Sequence, residues 1–121
     1  MTLTSSTMLR RVRVCALSDL EVERGRAALI GAEQVALFLL ADGSVHAVSN
    51  YDPYSRANVM SRGIVGSRGD TPTLASPMHK QVFDLRSGAC LETQGKEPAR
   101  LRVWSVTVVD GSVEVDIEEI R

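Results

Sequence analysis

Apolar and polar residues alternate from the start of the readable pattern. Arg10-Arg-Val-Arg-Val14 sends Val12 and Val14 to one face and basic side chains to the other, the period of a half-buried strand. Two longer apolar runs follow, Ala27 to Ile30 and Gln34 to Leu40, separated by a tight reversal at Gly31-Ala-Glu33. The second run is apolar almost without a break, which predicts a strand covered on both faces. Asp42-Gly43 predicts a two-residue hairpin turn, with positive φ at both positions, leading into Val45-His-Ala-Val48. His46 points away from Val45 and Ala47, as an exposed or edge residue would. Ser18-Asp-Leu-Glu21 has the form of a capping box, and Gly25 limits it to one helical turn.

From Asn50 to Ser76 the pattern breaks up around Pro53, Gly63, Gly66, Gly69 and Pro72, and predicts a long connection without regular structure. Such a segment in a compact domain usually has a functional reason. After Phe83-Asp-Leu85, Arg86-Ser-Gly88 closes a turn, and Glu92 to Pro98 is polar and expected to be mobile. Leu101 to Val109 alternates around Trp104, Val106 and Val108, and Asp110-Gly111 repeats the hairpin signal before Val113, Val115 and Ile117. Phe83 and Trp104 are the expected core anchors. These runs predict an all-β domain of nine or ten short, mostly antiparallel strands, a sandwich or small barrel. Residues 1–9 are expected to form a flexible tail, 10–118 the domain, and 50–85 a loop-rich subdomain within it.

A chain of 121 residues is one domain by size. With 44% hydrophobic and 24% charged residues and a formal net charge of −1, its composition adds little to the pattern. No apolar run approaches the roughly 20 residues of a membrane span. Met1 to Met8 has no positive flank leading into an apolar region, so the expected compartment is the cytoplasm. Cys15 and Cys90 are expected there as free thiols. Charge is uneven: residues 54–102 hold eight basic and four acidic residues, whereas Asp110, Glu114, Asp116, Glu118 and Glu119 face only Arg121 at the end. Without a recognition helix or an aromatic platform this does not point to nucleic acid. A basic surface formed by Arg56, Arg62, Arg68 and Lys80 would suit an acidic protein face; ordinary solvation of a loop region accounts for it equally well.

Candidate chemistry concentrates in two short segments, Asp52-Pro-Tyr54 and Ser76-Pro-Met-His79, each following a strand-like run. Two loops carrying C-x-H and C-x-x-H at this separation, the second leading into F-D-L-x-x-G, are the mark of a Rieske [2Fe-2S] centre. The second half is complete here as His79-Lys-Gln-Val-Phe83-Asp84-Leu85-Arg-Ser-Gly88. On that pattern Asp52 and Ser76 stand at the cysteine positions and Tyr54 at the first histidine, leaving only His79. Neither Cys15 nor Cys90 lies in a loop, so the two thiolates a cluster needs are missing. No nucleophile elbow, phosphate cradle or dinucleotide fingerprint is present, and no catalytic, cofactor-binding or metal-binding residue is expected. Asp52, Tyr54, Ser76 and His79 are expected to satisfy one another, with Asp52 accepting hydrogen bonds from the rest or from backbone N–H groups.

The chain resembles the cluster-less branch of the Rieske-like family formed by the small subunits of assimilatory NAD(P)H-dependent nitrite reductase. The resemblance runs over residues 12–117 and is carried by Gln34-Val-Ala-Leu-Phe38, Asn50-x-Asp-Pro-Tyr54-Ser, Val59-Met-Ser-Arg-Gly-Ile-Val-Gly66, Ala75-Ser-Pro77 and Gly88-x-Cys-Leu91. It departs at His79, where that family often carries tyrosine or an apolar residue. The resemblance implies a Rieske-like fold and a subunit that binds no cofactor and catalyses nothing alone. It implies a large partner subunit holding FAD, an iron–sulfur cluster and siroheme, which reduces nitrite to ammonium. Two other functions are open to such a chain: a standalone Rieske-type [2Fe-2S] electron carrier, for which the cysteines are lacking, and a regulatory scaffold module of unrelated function.

Overall fold

The computed structural model describes residues 7–120. Among them are thirteen strands and two single turns of 3-10 helix. The strands are β1 (Thr7–Ala16), β2 (Arg26–Ile30), β3 (Glu33–Leu39), β4 (Val45–Ser49), β5 (Tyr51–Asp52), β6 (Ala57–Asn58) and β7 (Ile64–Arg68). They continue with β8 (Thr71–Ala75), β9 (Val82–Asp84), β10 (Cys90–Glu92), β11 (Val103–Trp104), β12 (Val106–Val109) and β13 (Ser112–Ile120). Several are only two or three residues long, which is why the count exceeds the nine or ten expected. β1 begins at Thr7 and so takes in the last residues of the expected tail, whose remainder lies outside the described residues.

The strands form three main antiparallel sheets, in the orders β1-β13-β12, β11-β4-β3-β2 and β10-β9-β8-β7, plus the small pair β5-β6. The fold is all-β, as expected. β3 and β4 tie it together because their two faces serve different cores. Val35, Leu37 and Ala47 pack with Cys15, Trp104, Val113 and Val115 beneath the first sheet. Ala36, Phe38 and Val48 pack with Met60, Leu74, Phe83 and Leu101 toward the third. Fully burying a Val, Leu or Phe side chain contributes about 1.5–3 kcal/mol, so the unbroken burial of Val35 to Phe38 makes β3 a large local contribution to stability. Phe83 and Trp104 are both in the core, whereas Val108, expected to alternate inward, is exposed on the edge strand β12.

The two Asp-Gly hairpins differ. At Asp110-Gly111 both residues have positive φ and Val109 pairs with Ser112, giving the two-residue turn the sequence predicts. At Asp42-Gly43 only Gly43 has positive φ. The Asp42 carboxylate accepts from the Ser44 N–H and hydroxyl instead, and a longer turn joins Leu39 to Val45. His46 is half-buried on an interior strand, bonded to Ser44 Oγ at 3.0 Å, rather than exposed or at an edge. The expected capping box is replaced by a single turn, Leu17–Asp19, whose Asp19 carboxylate accepts from the Ala16 N–H.

The segment 50–76 corrects the expectation of an irregular connection. It contains β5, β6, a 3-10 turn at Met60–Arg62 and the hairpin β7–β8, whose register runs from Ile64↔Ala75 to Arg68↔Thr71. Its apolar content is low because most of β7 is exposed. Gly63 begins this hairpin where a Cβ would stand 2.6 Å from the Ala75 carbonyl, a close approach only glycine allows.

Candidate functional site

The two loops singled out by sequence are built alike. Loop one starts at Asp52 and loop two at Ser76, and each is followed by proline. In each the opening side chain accepts an N–H two residues on: Tyr54 N–H donates to Asp52 Oδ1 at 2.9 Å, and Met78 N–H to Ser76 Oγ at 3.2 Å. In each the backbone N–H four residues on closes the turn, Arg56 to the Asp52 carbonyl at 2.8 Å and Lys80 to the Ser76 carbonyl at 3.2 Å. Arg56 and Lys80 take φ of 60° and 63° to do so. The opening residues also hold each other, since Ser76 Oγ donates to Asp52 Oδ2 at 2.5 Å.

Asp52 has no exposed surface. Burial pushes its carboxyl up, but the bonds from Ser76 and Tyr54, with the neighbouring Ser55 side chain and amide, outweigh it and leave the group below the usual carboxylate range. The Ser55 hydroxyl, though close enough to act on the carboxylate, makes no hydrogen bond of good geometry. Asp52 is therefore held as the anion, a charged clamp between the loops.

Tyr54 joins this clamp only through its backbone N–H; its side chain and that of His79, expected to bond Asp52, do not. The Tyr54 hydroxyl reaches the segment before β11, donating to the Glu97 carbonyl at 2.8 Å and accepting from the Ala99 N–H at 2.8 Å, with Cys90 Sγ 3.5 Å away. Burial and the Cys90 contact push its phenol up. The polar stretch expected to be mobile is thus pinned over the loops as a strap. Gln94 Nε2 fixes its other end on the Lys80 carbonyl at 3.3 Å. His79 is exposed.

Loop one, loop two and the strap enclose an open cleft of about 680 Å³, lined among others by Arg56, His79, Gln81, Lys96 and Glu97. Gln81 is 1% exposed and its Oε1 has no hydrogen-bond partner. Of the expected basic surface, Arg56 lines this cleft, whereas Lys80 falls between the lining residues His79 and Gln81 without lining it itself. Arg62 lines a separate groove with Glu23 and Arg24, and Arg68 at the end of β7 reaches the Leu91 carbonyl at 3.5 Å.

Asn50, Gln81 and the strap's Lys96 were not singled out by sequence. Asn50 is buried at the base of loop one. Its Oδ1 accepts from the Ser61 N–H at 2.7 Å, and its Nδ2 donates to Gln34 Oε1 and the Asn58 carbonyl at 3.2 and 3.3 Å. Its position just before Tyr51-Asp52, after a strand, was the available signal: a short amide there is suited to satisfying a loop's backbone.

Two loops closing over a sheet, each opened by a polar residue before proline, define a Rieske-like architecture, and the Rieske-like [2Fe-2S] domain model matches residues 11–116. The donor set does not fit the cluster. The four positions offer a carboxylate already bonded to a hydroxyl, a phenol committed to the strap and one exposed imidazole. Cys15 lies in the first core and Cys90 beside the second, both as free thiols. Among the described residues no three His, Cys, Asp or Glu side chains converge on a metal position. The chain is 36% identical over 103 residues to the nitrite reductase (NADH) small subunit of Escherichia coli K12, covering 84% of this chain and 93% of that one. A Mycobacterium tuberculosis structure assigned to the NADH-dependent nitrite reductase small subunits superposes with a TM-score of 0.83 at 42% identity, covering 91% of this chain and 96% of that one. This chain also matches the nitrite reductase [NAD(P)H] large subunit of Klebsiella oxytoca, 38% identical over 107 residues, which are 88% of this chain but only 11% of that one. The chain therefore belongs to the Rieske-like family, on the branch of the nitrite reductase small subunits.

Proposed function

We infer that this chain is the small, cofactor-free subunit of an NAD(P)H-dependent nitrite reductase, docking in the cytoplasm on a large subunit and stabilising or tuning it. The observation that carries this reading is the Klebsiella oxytoca relative. There a segment like nearly the whole of this domain occurs within a chain called the large subunit. A domain found fused in one protein and separate in another is expected to sit against the same partner in both.

The chain's own residues suit a structural contribution. The Asp52–Ser76 clamp and the Tyr54 strap hold a fixed surface where a cluster would otherwise be held, and Arg56 and Lys80, which close the two loops, make it basic, with Arg62 and Arg68 adding charge elsewhere. The large subunit would supply FAD, an iron–sulfur cluster and siroheme, and the assembly would reduce nitrite to ammonium in nitrate assimilation. Among the described residues no helix is long and apolar enough to cross a membrane.

Co-expression with the cognate large subunit tests this. The expected result is a stable complex with NAD(P)H-dependent nitrite consumption above that of the large subunit alone. Failure to co-purify, together with equal turnover by the large subunit alone at equal cofactor loading, would refute it.

A further inference from the structure

The two loops beside the cleft spend glycine-like backbone positions on cations. Arg56 and Lys80 close their turns in the left-handed region, where a Cβ crowds the following carbonyl and glycine is the easier choice. Gln94, across the strap, is also left-handed at φ 54°. Strain of this kind gathers where side-chain placement matters more than ease of turning. Of the lining side chains, Arg56, His79 and Lys96 stand against Glu97 as the single acid, so the mouth of the cleft is net positive. Beneath them Gln81 Oε1 is a buried acceptor without a donor, an arrangement that costs stability until a donor arrives. The volume of about 680 Å³ has room for several side chains, far more than a small inorganic anion needs.

We propose that this cleft seats an acidic segment of the large subunit. Its carboxylates face Arg56, Lys96 and His79, and a main-chain N–H supplies the donor that Gln81 Oε1 lacks. This rests on the docking role inferred above and puts the energetic centre of the contact in the cleft rather than across the whole basic surface of Arg56, Arg62, Arg68 and Lys80. Charge complementarity fixes register and speeds encounter, and arginine can pair with a carboxylate through its planar fork.

The experiment measures affinity between the full chain and its purified cognate holo large subunit, at low and moderate salt, with melting curves for each variant. Arg56→Gly combined with Lys96→Ala removes the cations without disturbing the turn, since glycine adopts the left-handed region freely. This pair should melt no more than a degree or two below the parent, yet bind roughly tenfold more weakly or worse. Arg56→Glu with Lys96→Glu should bind more weakly still, and the salt sensitivity of the parent complex should shrink in both. Arg62→Ala should bind like the parent. A complex whose affinity ignores both cleft variants, or falls only with Arg62→Ala, overturns the cleft assignment and leaves the docking role standing. No complex with the parent chain at either salt overturns the docking role and the cleft assignment with it.

Discussion

Loop one and loop two share a turn but not a fate. Asp52 and Ser76 open them with matching side-chain and backbone bonds, and Arg56 and Lys80 close them in matching conformations. Loop one is tied into the molecule on every side: Asn50 at its base, Asp52 at its centre, and Tyr54 reaching out to the strap. The middle of loop two, Met78 and His79, is exposed. Its polar attachment runs through Ser76 to the carboxylate of loop one and through the Lys80 carbonyl to Gln94. Two loops of the same geometry can thus have unequal roles, one as anchor and one as passenger, and the residue that opens a loop decides which.

The inequality of the two loops rests most heavily on Asp52. Asp52→Ala strands the Ser76 hydroxyl and the Tyr54 N–H together, and bonds to a charged acceptor count for more than neutral ones, so a loss of about 3 kcal/mol is expected from denaturant midpoints. An unchanged midpoint would show that the clamp holds nothing. The same residue fixes a pH dependence. Because the folded-state pKa of Asp52 lies below its ordinary value, its contribution is complete above the unfolded pKa of about 3.9 and is lost as pH falls through the folded value. Asp52→Asn should therefore flatten that part of the acid limb while leaving stability above pH 6 less dependent on pH than on the lost charge.

Ser76→Ala comes next. It removes one bond and leaves Asp52 Oδ2 buried without it, and about 1–2 kcal/mol is expected by the same measurement. If it equals or exceeds Asp52→Ala, loop two and not loop one is the anchor. Tyr54→Phe keeps the ring against Phe83 at a centroid distance of 6.1 Å but frees the strap. About 1 kcal/mol is expected, with amide exchange at Ala99 rising while that of Met78 does not. His79→Ala should change stability by less than about 0.5 kcal/mol, as an exposed side chain without a buried partner does. A larger loss would mean that loop two is fixed through its histidine after all.

What the sequence made legible followed from local physics. Strand β3 reads as double-faced because no polar residue interrupts Val35 to Phe38, and Asp110-Gly111 reads as a tight turn because both positions accept positive φ. Asp42-Gly43 carries the same letters and turns differently, since Ser44 offers the Asp42 carboxylate two donors; the competing bond lies outside the dipeptide. The pairing of Asp52 with Ser76 was readable from two polar residues at positions that must be buried. The routes taken by Tyr54 and His79 were not. Tyr54 acts 43 residues away on the Glu97 carbonyl, and no local pattern encodes a side chain bonded to a distant backbone. Hairpin β7–β8 was missed for a different reason: β7 is largely exposed, so it lacks the apolar alternation by which a strand is recognised.

Strand β3 carries a consequence for how the molecule comes apart. Its side chains are shared alternately between two cores, so neither core can be opened while the other keeps its wall. A chain with two separable cores would melt in two steps; this one is built to lose both in a single transition. The amides of β3 and β4 should exchange with solvent only at the rate of global opening, while the loops exchange through smaller excursions. A partner that grips the folded loops would therefore be felt in β3 and β4 too, because binding to the folded state alone raises the cost of global opening, and slowed exchange at the tip and in the core would report the same binding free energy.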